Sequence, residues 1–266
     1  MKNKVIKLVA KCALVMVPVI GLSGFLRFGG MYYITPEEAC LKWNQSITSI
    51  TQNKEYKTII VGDSSANAGF MPEALSDTTI NLSVLGTSPI EGYYILKEYL
   101  QNNQVPQDCF ICYSDSHYHM MELYWDEIVS NHRLSFKDNV DIIANATDEV
   151  SSDSMYSAVC DYLAYELSFA SKYMTTFQGM LDDIANDIDR YADNQLAIEK
   201  AELHGGRYAY IGNQVFETTQ YREYTEMQSK QIYIDYLTKM IELCQDNNTS
   251  VHFVKAPMPE NAIMSD

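Results

Sequence analysis

Four short stretches rich in apolar and β-branched residues are spaced along the chain, at residues 58–61, 78–84, 108–113 and 250–256. The first shows no alternation of apolar and polar side chains, which is typical of a central strand covered on both faces. Each of the first three runs into small or polar residues of the kind that form turns. The pattern therefore predicts four strands, three of which end in small polar turns.

Helical spacing of apolar residues separates the second predicted strand from the third, at residues 90–101. A helix between two strands of one sheet predicts a right-handed crossover and a parallel arrangement. A second amphipathic stretch begins at Tyr221 or Thr225 and continues to Gln245. Its predicted apolar side consists of Ile232, Ile234, Leu237, Met240, Ile241 and Cys244. These elements predict an α/β fold.

The block between residues 120 and 204 departs from this rhythm. It contains four candidate helices, at residues 120–131, 138–145, 156–174 and 176–200. The block is longer than a crossover between two strands requires. It is therefore predicted to be a helical insertion, in a position to cap a site, and a small hairpin is predicted after it at residues 204–216.

The N-terminal segment differs from the rest in charge and hydropathy. Lysines at positions 2, 4, 7 and 11 precede a mostly apolar run at residues 12–28. The run is at the short end of what spans a bilayer, and its basic flank predicts a cytoplasmic N-terminus with the domain outside the cytoplasm. An uncleaved single-pass signal-anchor is the first interpretation, and a cleaved signal peptide with secretion of the domain is the alternative.

The chain divides into three predicted segments: a signal-anchor at residues 1–30, a linker helix within 31–56, and one α/β domain over 57–266. The linker helix is predicted to begin with Thr35 as its N-cap and Pro36 as its first helical residue. A chain of 266 residues allows one large domain or two small ones.

Composition restricts the partners and the chemistry. The chain carries 35 acidic and 19 basic residues, a net charge of −16. This excludes nucleic acid as the expected partner, because phosphate binding needs a basic surface. The six cysteines show neither a disulfide framework nor metal-ligand spacing, so no metal or other cofactor is predicted. Cys109 and Cys112 form a Cys-x-x-Cys pair inside a predicted strand, where two buried cysteines are favoured over a redox pair.

Candidate chemistry gathers where the predicted strands end. Gly62-Asp63-Ser64-Ser65 follows the first strand, Gly86 follows the second, and Ser114-Asp115 follows the third. Open α/β sheets bind ligands at the carboxyl ends of their strands. Alone, the first motif favours a plain turn over a nucleophilic Ser64, but three such turns on one edge reverse this and favour a site. The residues predicted to line its rim are Ser65, Asn67, Asp115, His117 and His119.

This ordered set resembles the SGNH (GDSL) hydrolase superfamily. More narrowly, it is similar to the membrane-anchored branch beside cell-surface acyl-transfer systems, such as D-alanyl-lipoteichoic acid transfer and alginate O-acetylation. The resemblance implies a three-layer, flavodoxin-like parallel sheet, with Ser64 as the nucleophile and Asp63 as motif support. It also implies that the N–H groups of Ser64 and Gly86 are oxyanion donors. Ser114 stands where the family has its oxyanion asparagine, a departure found in divergent anchored members.

The family's last block, an Asp-x-x-His that supplies the catalytic acid and base, is not found. It is expected some distance after a strand such as residues 251–256, and the sequence ends at Asp266. We therefore expect a C-terminally truncated and inactive fragment, because a serine hydroxyl is a weak nucleophile without a base. His117 or His119 is the candidate substitute base, whereas His252 on the fourth strand is predicted to be structural.

The resemblance and the N-terminal segment predict an extracytoplasmic, membrane-anchored serine esterase or O-acyltransferase. It would act on acyl esters of cell-surface glycopolymers through an acyl-Ser64. The expected partners are a surface glycan or acylated polymer and a membrane-bound O-acyltransferase. The alternative is a non-catalytic accessory or binding protein of a cell-surface acylation system. A nucleotide-binding α/β protein is a third hypothesis. The sequence does not favour it, because it has no glycine-rich motif of the kind that binds phosphate groups.

Overall fold

One parallel sheet forms the centre of the described part of the chain. The computed structural model describes residues 4–7, 11–15, 17–18, 38–52, 54–119, 124–129, 133–145, 157, 159–163, 178–179, 181–208 and 229–255. The strands within them are β1 (Thr58–Gly62), β2 (Thr79–Asn81), β3 (Asp108–Cys112) and β4 (Ser250–Phe253). Their order is β2-β1-β3-β4, and every neighbouring pair is parallel. The predicted α/β fold with a parallel sheet is confirmed.

β1 is the central element, as its unbroken apolar pattern predicts. Residues 59–61 are fully buried between β2 and β3. The last residue, Gly62, pairs with Cys112 at the end of β3. β2 is shorter than its sequence pattern predicts, although the N–H groups of Leu82 and Val84 still donate to β1 carbonyl oxygens, at 2.8 and 3.0 Å.

Helices flank the sheet on both faces. Those with defined bounds are α1 (Glu38–Thr51), α2 (Ser64–Gly69), α3 (Pro72–Leu75), α4 (Pro89–Asn102), α5 (Phe136–Asn145), α6 (Arg190–Leu203) and α7 (Gln231–Asp246). A 3-10 helix covers Asp115–Tyr118 and a π-helix covers Tyr124–Val129. The helix predicted between the second and third strands is therefore present as α4.

The main core lies between one face of the sheet and helices α1, α4 and α7. Its buried members include Ile50 of α1, Ile59 and Val61 of β1, Ile95, Leu96 and Tyr99 of α4, Cys109 and Ile111 of β3, and Met240 and Cys244 of α7. On the opposite face, Ile60 and Cys112 pack against Ala66 of α2. Burying each large side chain contributes about 1.5–3 kcal/mol, so the sheet is held mainly from the α1, α4 and α7 side.

The helix predicted over residues 176–200 is interrupted. Asp187 has a φ of 57°, in the left-handed region that ends a helix. Asp189 then caps α6, because its side chain accepts the Ala192 N–H at 3.1 Å. The prediction of one continuous helix was therefore wrong, since it read apolar spacing and overlooked the capping aspartate.

The buried side of α7 also differs from its prediction. Ile234 is 37 % exposed, whereas Tyr233 and Tyr236 are buried. Both tyrosine rings enter a second core with the π-helix and α5. The prediction placed aliphatic residues on the buried side and left the tyrosines out. It was wrong at these positions because a tyrosine ring buries more apolar area than an isoleucine side chain. The predicted start of this helix, at Tyr221 or Thr225, lies outside the described residues.

The described part of the helical insertion packs against the domain. The second core contains Tyr124, Ile128 and Val129 of the π-helix, Ile142 and Ile143 of α5, and Ile232, Tyr233 and Tyr236 of α7. α6 packs on α1 through Ala197, Ala201 and Leu41. Of the helix predicted at 120–131, the structure describes residues 124–129, which form the π-helix. The helix predicted at 156–174 and the hairpin predicted at 204–216 lie largely outside the described residues.

Of the predicted signal-anchor, the structure describes only residues 4–7, 11–15 and 17–18. Val5, Ile6, Leu14 and Val15 in those stretches are exposed. Across the described residues, no helix combines the length and the apolar character needed to cross a bilayer.

α1, which the sequence predicts as a linker, packs along the domain and carries a buried lysine. Lys42 is fully buried, and its Nζ donates to Gln45 Oε1 at 2.9 Å, to Ser46 Oγ at 2.8 Å and to the Asn81 carbonyl oxygen of β2 at 2.9 Å. All three acceptors are neutral, and no carboxylate within the described residues pairs with the ammonium. Burial consequently lowers the pKa of Lys42 to about 7.

This lysine makes the stability of the fold depend on pH. The pKa is about 7 in the folded chain and roughly 10.4 in the unfolded chain, so the unfolded chain binds more protons between these values. The free energy of unfolding therefore rises with pH in that window. The gain is lost again as pH falls through the folded-state pKa. We expect a gain of about 2 kcal/mol between roughly pH 7 and 9 in urea titrations.

Two variants isolate this contribution to the pH dependence. Lys42→Met removes the titrating group and should flatten the rise, whereas Lys54→Met, at an exposed position, should retain it. An unchanged pH slope in Lys42→Met would contradict the assignment.

Candidate active site

Three turns meet at the carboxyl edge of the sheet, as their positions after β1, β2 and β3 predict. Asp63 follows β1 directly, Thr87 lies in the turn after β2, and Ser114 follows β3. A connected set of hydrogen bonds joins the three turns, centred on the fully buried Asp63 carboxylate. A buried charge is tolerated only when protein groups replace the water it has lost.

Hydrogen-bond donors near the ends of β1 and β3 replace water around the Asp63 carboxylate. Its Oδ1 accepts the Ser65 N–H at 2.8 Å, which makes Asp63 the N-cap of α2. Its Oδ2 accepts both the backbone N–H and the hydroxyl of Ser114, at 2.8 and 2.6 Å. His117 Nε2 lies 3.5 Å from the same oxygen. The carboxylate therefore ties the end of β1 to the end of β3.

Gly62 is required by the close approach of β3. A Cβ at this position would lie 1.9 Å from the Cys112 carbonyl oxygen and 2.6 Å from the Ala66 Cβ. Any side chain would push the two strand ends apart. Gly62 and Asp63 of the motif thus have structural roles. The next residue, Ser64, is the candidate for a chemical role.

Ser64 is the first residue of α2 and is partly exposed. Neither its hydroxyl nor its backbone N–H forms a hydrogen bond with any residue that the structure describes. The neighbouring Ser65 is also partly exposed, but its N–H is directed at Asp63. Of the two serines, Ser64 therefore has both its hydroxyl and its amide available to a ligand.

The turn after β2 lies against the same edge. Gly86 has a φ of 66°, a conformation that glycine adopts without strain. The Thr87 hydroxyl is 3.0 Å from the Gly62 carbonyl oxygen and 2.7 Å from that of Val84. These bonds hold the turn against the end of β1, on the edge of the sheet that carries Ser64.

His117 connects this turn to Asp63. Its Nδ1 contacts the Thr87 carbonyl oxygen, and because a carbonyl only accepts, Nδ1 carries a proton. Its Nε2 faces the Asp63 carboxylate. Both ring nitrogens are thus directed at groups other than Ser64, so His117 holds the turns together in this arrangement and is not placed as the substitute base.

The remaining predicted residues have different surroundings. Ser114 directs both its donors at Asp63, which leaves neither for an oxyanion. Asp115 is exposed. His119 is partly buried, and its Nδ1 has no hydrogen-bond partner among the described residues. Asn67 is fully buried, and its side-chain amide pairs with the Tyr208 backbone at 2.9 and 3.1 Å. Asn67 therefore anchors the segment after α6 to α2 and does not line a rim.

His252, predicted to be structural, lies on the edge strand β4. Its Nε2 is 2.7 Å from Asp108 Oδ1, and its ring stacks on Phe110 with centroids 4.7 Å apart. Both contacts join β4 to β3, in agreement with a structural role.

Sequence reasoning missed a buried acid behind the site. Glu91 of α4 is fully buried, and its Oε2 accepts the N–H and the hydroxyl of Ser88 at 2.9 and 2.7 Å. Its Oε1 lies 3.5 Å from Arg133 Nη1. Burial raises the pKa of Glu91, and Arg133 and Ser88 offset this only in part. The Ser-Pro-Ile-Glu run at residues 88–91 has the capping-box spacing that could have revealed this acid.

The described residues contain no cluster of three or more His, Cys, Asp or Glu side chains that could hold a metal ion. A cleft of about 490 Å³ lies elsewhere, between α1, α4 and the segment at residues 133–138. None of the residues predicted for the site lines this cleft.

Fold and site together define a class: an α/β protein with an available serine at the carboxyl edge of a central parallel strand. Comparison with known proteins adds no relative, because no family, no curated protein and no solved structure matches the chain.

Replacing Asp63 by asparagine tests the central role of its carboxylate. The substitution keeps the shape but turns one oxygen into an NH₂ group, which would face the donors of Ser65 or Ser114. We expect the free energy of unfolding to fall by about 2–3 kcal/mol, the range for hydrogen bonds to a charged group. Asp115→Asn, at an exposed position, should change it by less than about 0.5 kcal/mol. Equal effects in urea denaturation would refute the role of the carboxylate.

Proposed function

We propose that this protein is an extracytoplasmic, membrane-anchored, SGNH-like serine esterase or O-acyltransferase that acts on acyl esters of cell-surface glycopolymers. The observation that carries this proposal is the available Ser64 hydroxyl at the start of α2, directly after the central strand. Ligands of open α/β sheets bind at this edge. The lysine-flanked apolar run near the N-terminus is the reason for placing the domain outside the cytoplasm.

In the proposed reaction, Ser64 Oγ attacks the carbonyl carbon of an acyl ester. The serine proton passes to a base, which gives it to the leaving alcohol as the ester bond breaks, and an acyl-serine remains. The N–H groups of Ser64 and Gly86 are proposed to stabilise the tetrahedral oxyanion. Water or a sugar hydroxyl then takes the acyl group and restores the serine.

Asp63 has a positioning role in this scheme. Its two oxygens are occupied by the N-cap bond to Ser65 and the two bonds from Ser114. Among the described residues, the Ser64 hydroxyl forms no hydrogen bond to this carboxylate, which instead links the end of β1 to the end of β3. Its contribution is to set the direction in which α2 leaves the sheet, and with it the position of the Ser64 hydroxyl.

A fluorophosphonate probe, applied to the protein together with any residues encoded after Asp266, tests the nucleophile directly. The Ser64 oxygen would displace fluoride from phosphorus and leave a phosphonyl-serine, which mass spectrometry of the digested protein locates. We expect labelling at Ser64 that is abolished in Ser64→Ala. Ser65→Ala is the matched control and should keep most of the labelling, because Ser65 is a neighbouring, equally small, partly exposed residue. Labelling that does not depend on Ser64 would reject the proposal.

A non-catalytic accessory or binding role in a cell-surface acylation system is the second candidate. The observation that favours it is that no histidine within the described residues hydrogen-bonds to the Ser64 hydroxyl, since His117 is directed at Asp63 and Thr87. Without a base the serine stays a weak nucleophile, while the fold could still hold a glycan or a membrane-bound O-acyltransferase.

Complementation separates the two candidates. In cells that lack the gene, an accessory protein carrying Ser64→Ala should restore acylation of the surface polymer to the level of the unaltered protein. An enzyme carrying the same substitution should fail to restore it, although it accumulates to the same amount by immunoblot.

A further inference from the structure

The cleft between α1, α4 and residues 133–138 has the dimensions of a ligand site. Its volume of about 490 Å³ falls within the range of about 300–1,000 Å³ that small-molecule sites occupy. Several of its lining residues also take part in the two cores, among them Ile95 in the main core and Leu134 against the second. Its shape is therefore set by the packing of the domain, independently of the Ser64 site.

Aromatic rings and cations line this cleft together. Trp43 of α1 and Tyr94 of α4 both contribute to its wall. The Arg133 guanidinium lies 5.8 Å from the centroid of the Trp43 ring, and Lys97 Nζ lies 5.6 Å from that of Tyr94. These cation–π contacts hold the long side chains of Arg133 and Lys97 against the rings.

The charges around the cleft are balanced by acids of the protein itself. Arg133 is paired with Glu91 at 3.5 Å, and both side chains are only 1 % exposed. Asp138 accepts a hydrogen bond from the Ser135 hydroxyl at the start of α5. Glu98 stands beside Lys97 on the wall. A net charge of −16 on the whole chain further disfavours a polyanion, so the cleft selects for neither an anion nor a cation.

The lining also disfavours a lipid chain. More polar than apolar side chains line the cleft, among them Gln101, Asn102 and Ser135 beside the charged groups. A lipid would leave these donors and acceptors without partners, which is costly. A ligand that suits this cleft has apolar surfaces that pack on the Trp43 and Tyr94 rings. It also carries many neutral groups that donate and accept hydrogen bonds.

We propose that this cleft binds a neutral oligosaccharide segment. The C–H faces of sugar rings pack on indole and phenol rings, and sugar hydroxyls pair with carboxylates, amides and ammonium groups alike. The inference rests on the lining of the cleft. It requires no acyl transfer, so failure of Ser64 labelling and failure of sugar binding are separate results.

Tryptophan fluorescence tests the proposal, because the chain has only two tryptophans, Trp43 in the cleft and Trp125 in the π-helix. The probes are neutral trisaccharides of glucose, galactose, mannose and N-acetylglucosamine, with inorganic phosphate and a hexalysine peptide as charged comparisons. We expect a saturable change with at least one trisaccharide. The change should disappear in Trp43→Phe and persist in Trp125→Phe.

A pair of surface glutamines supplies the matched affinity test by calorimetry. Gln101 lines the cleft and is exposed, so Gln101→Ala should weaken the trisaccharide by about threefold or more, the loss of one neutral hydrogen bond. Gln104 is exposed too and bonds to Glu55 outside the cleft, so Gln104→Ala should bind as the unaltered protein does. The proposal would be overturned if none of the four trisaccharides bound at millimolar concentration. It would also be overturned if only phosphate or hexalysine bound.

Discussion

The buried Asp63 carboxylate is the interaction on which the carboxyl edge of the sheet depends. It lies fully out of water, so it must be satisfied by protein donors, and three of these come from Ser65 and Ser114. The requirement is mutual, because each donor loses its partner if the carboxylate moves. The start of α2, the turn after β3 and His117 are therefore held in one arrangement, and Ser64 takes its position from it.

Buried ionisable side chains also link structural elements at two other places in the domain. Lys42 joins α1 to the end of β2 through its bond to the Asn81 carbonyl oxygen, and Glu91 joins the start of α4 to Arg133. In each case a charge lies between elements that apolar packing alone could shift relative to one another. Such groups add little net stability, but they penalise any other register of the helices against the sheet.

Much of the architecture could be read from the chain because its signals are local. An unbroken β-branched run marks β1, a serine with a glutamate three residues later marks the start of α4, and apolar spacing marks α7. One error was local, because Asp187 and the capping Asp189 broke a helix that apolar spacing predicted to continue. Another arose where packing across the fold decided the outcome, because Tyr233 and Tyr236 replaced Ile234 on the buried side of α7.

For the candidate site, the sequence by itself determined which residues end the strands, and parallel pairing then placed Asp63, Thr87 and Ser114 on one edge. Only the tertiary structure decided what each of them does. Hydrogen bonds between strand ends occupy Asp63, Ser114 and His117, and the segment after α6 takes up Asn67. Ser64, the first residue of α2, forms no hydrogen bond through its hydroxyl with the described residues. Such partners lie far apart along the chain, so no local pattern of residues encodes them.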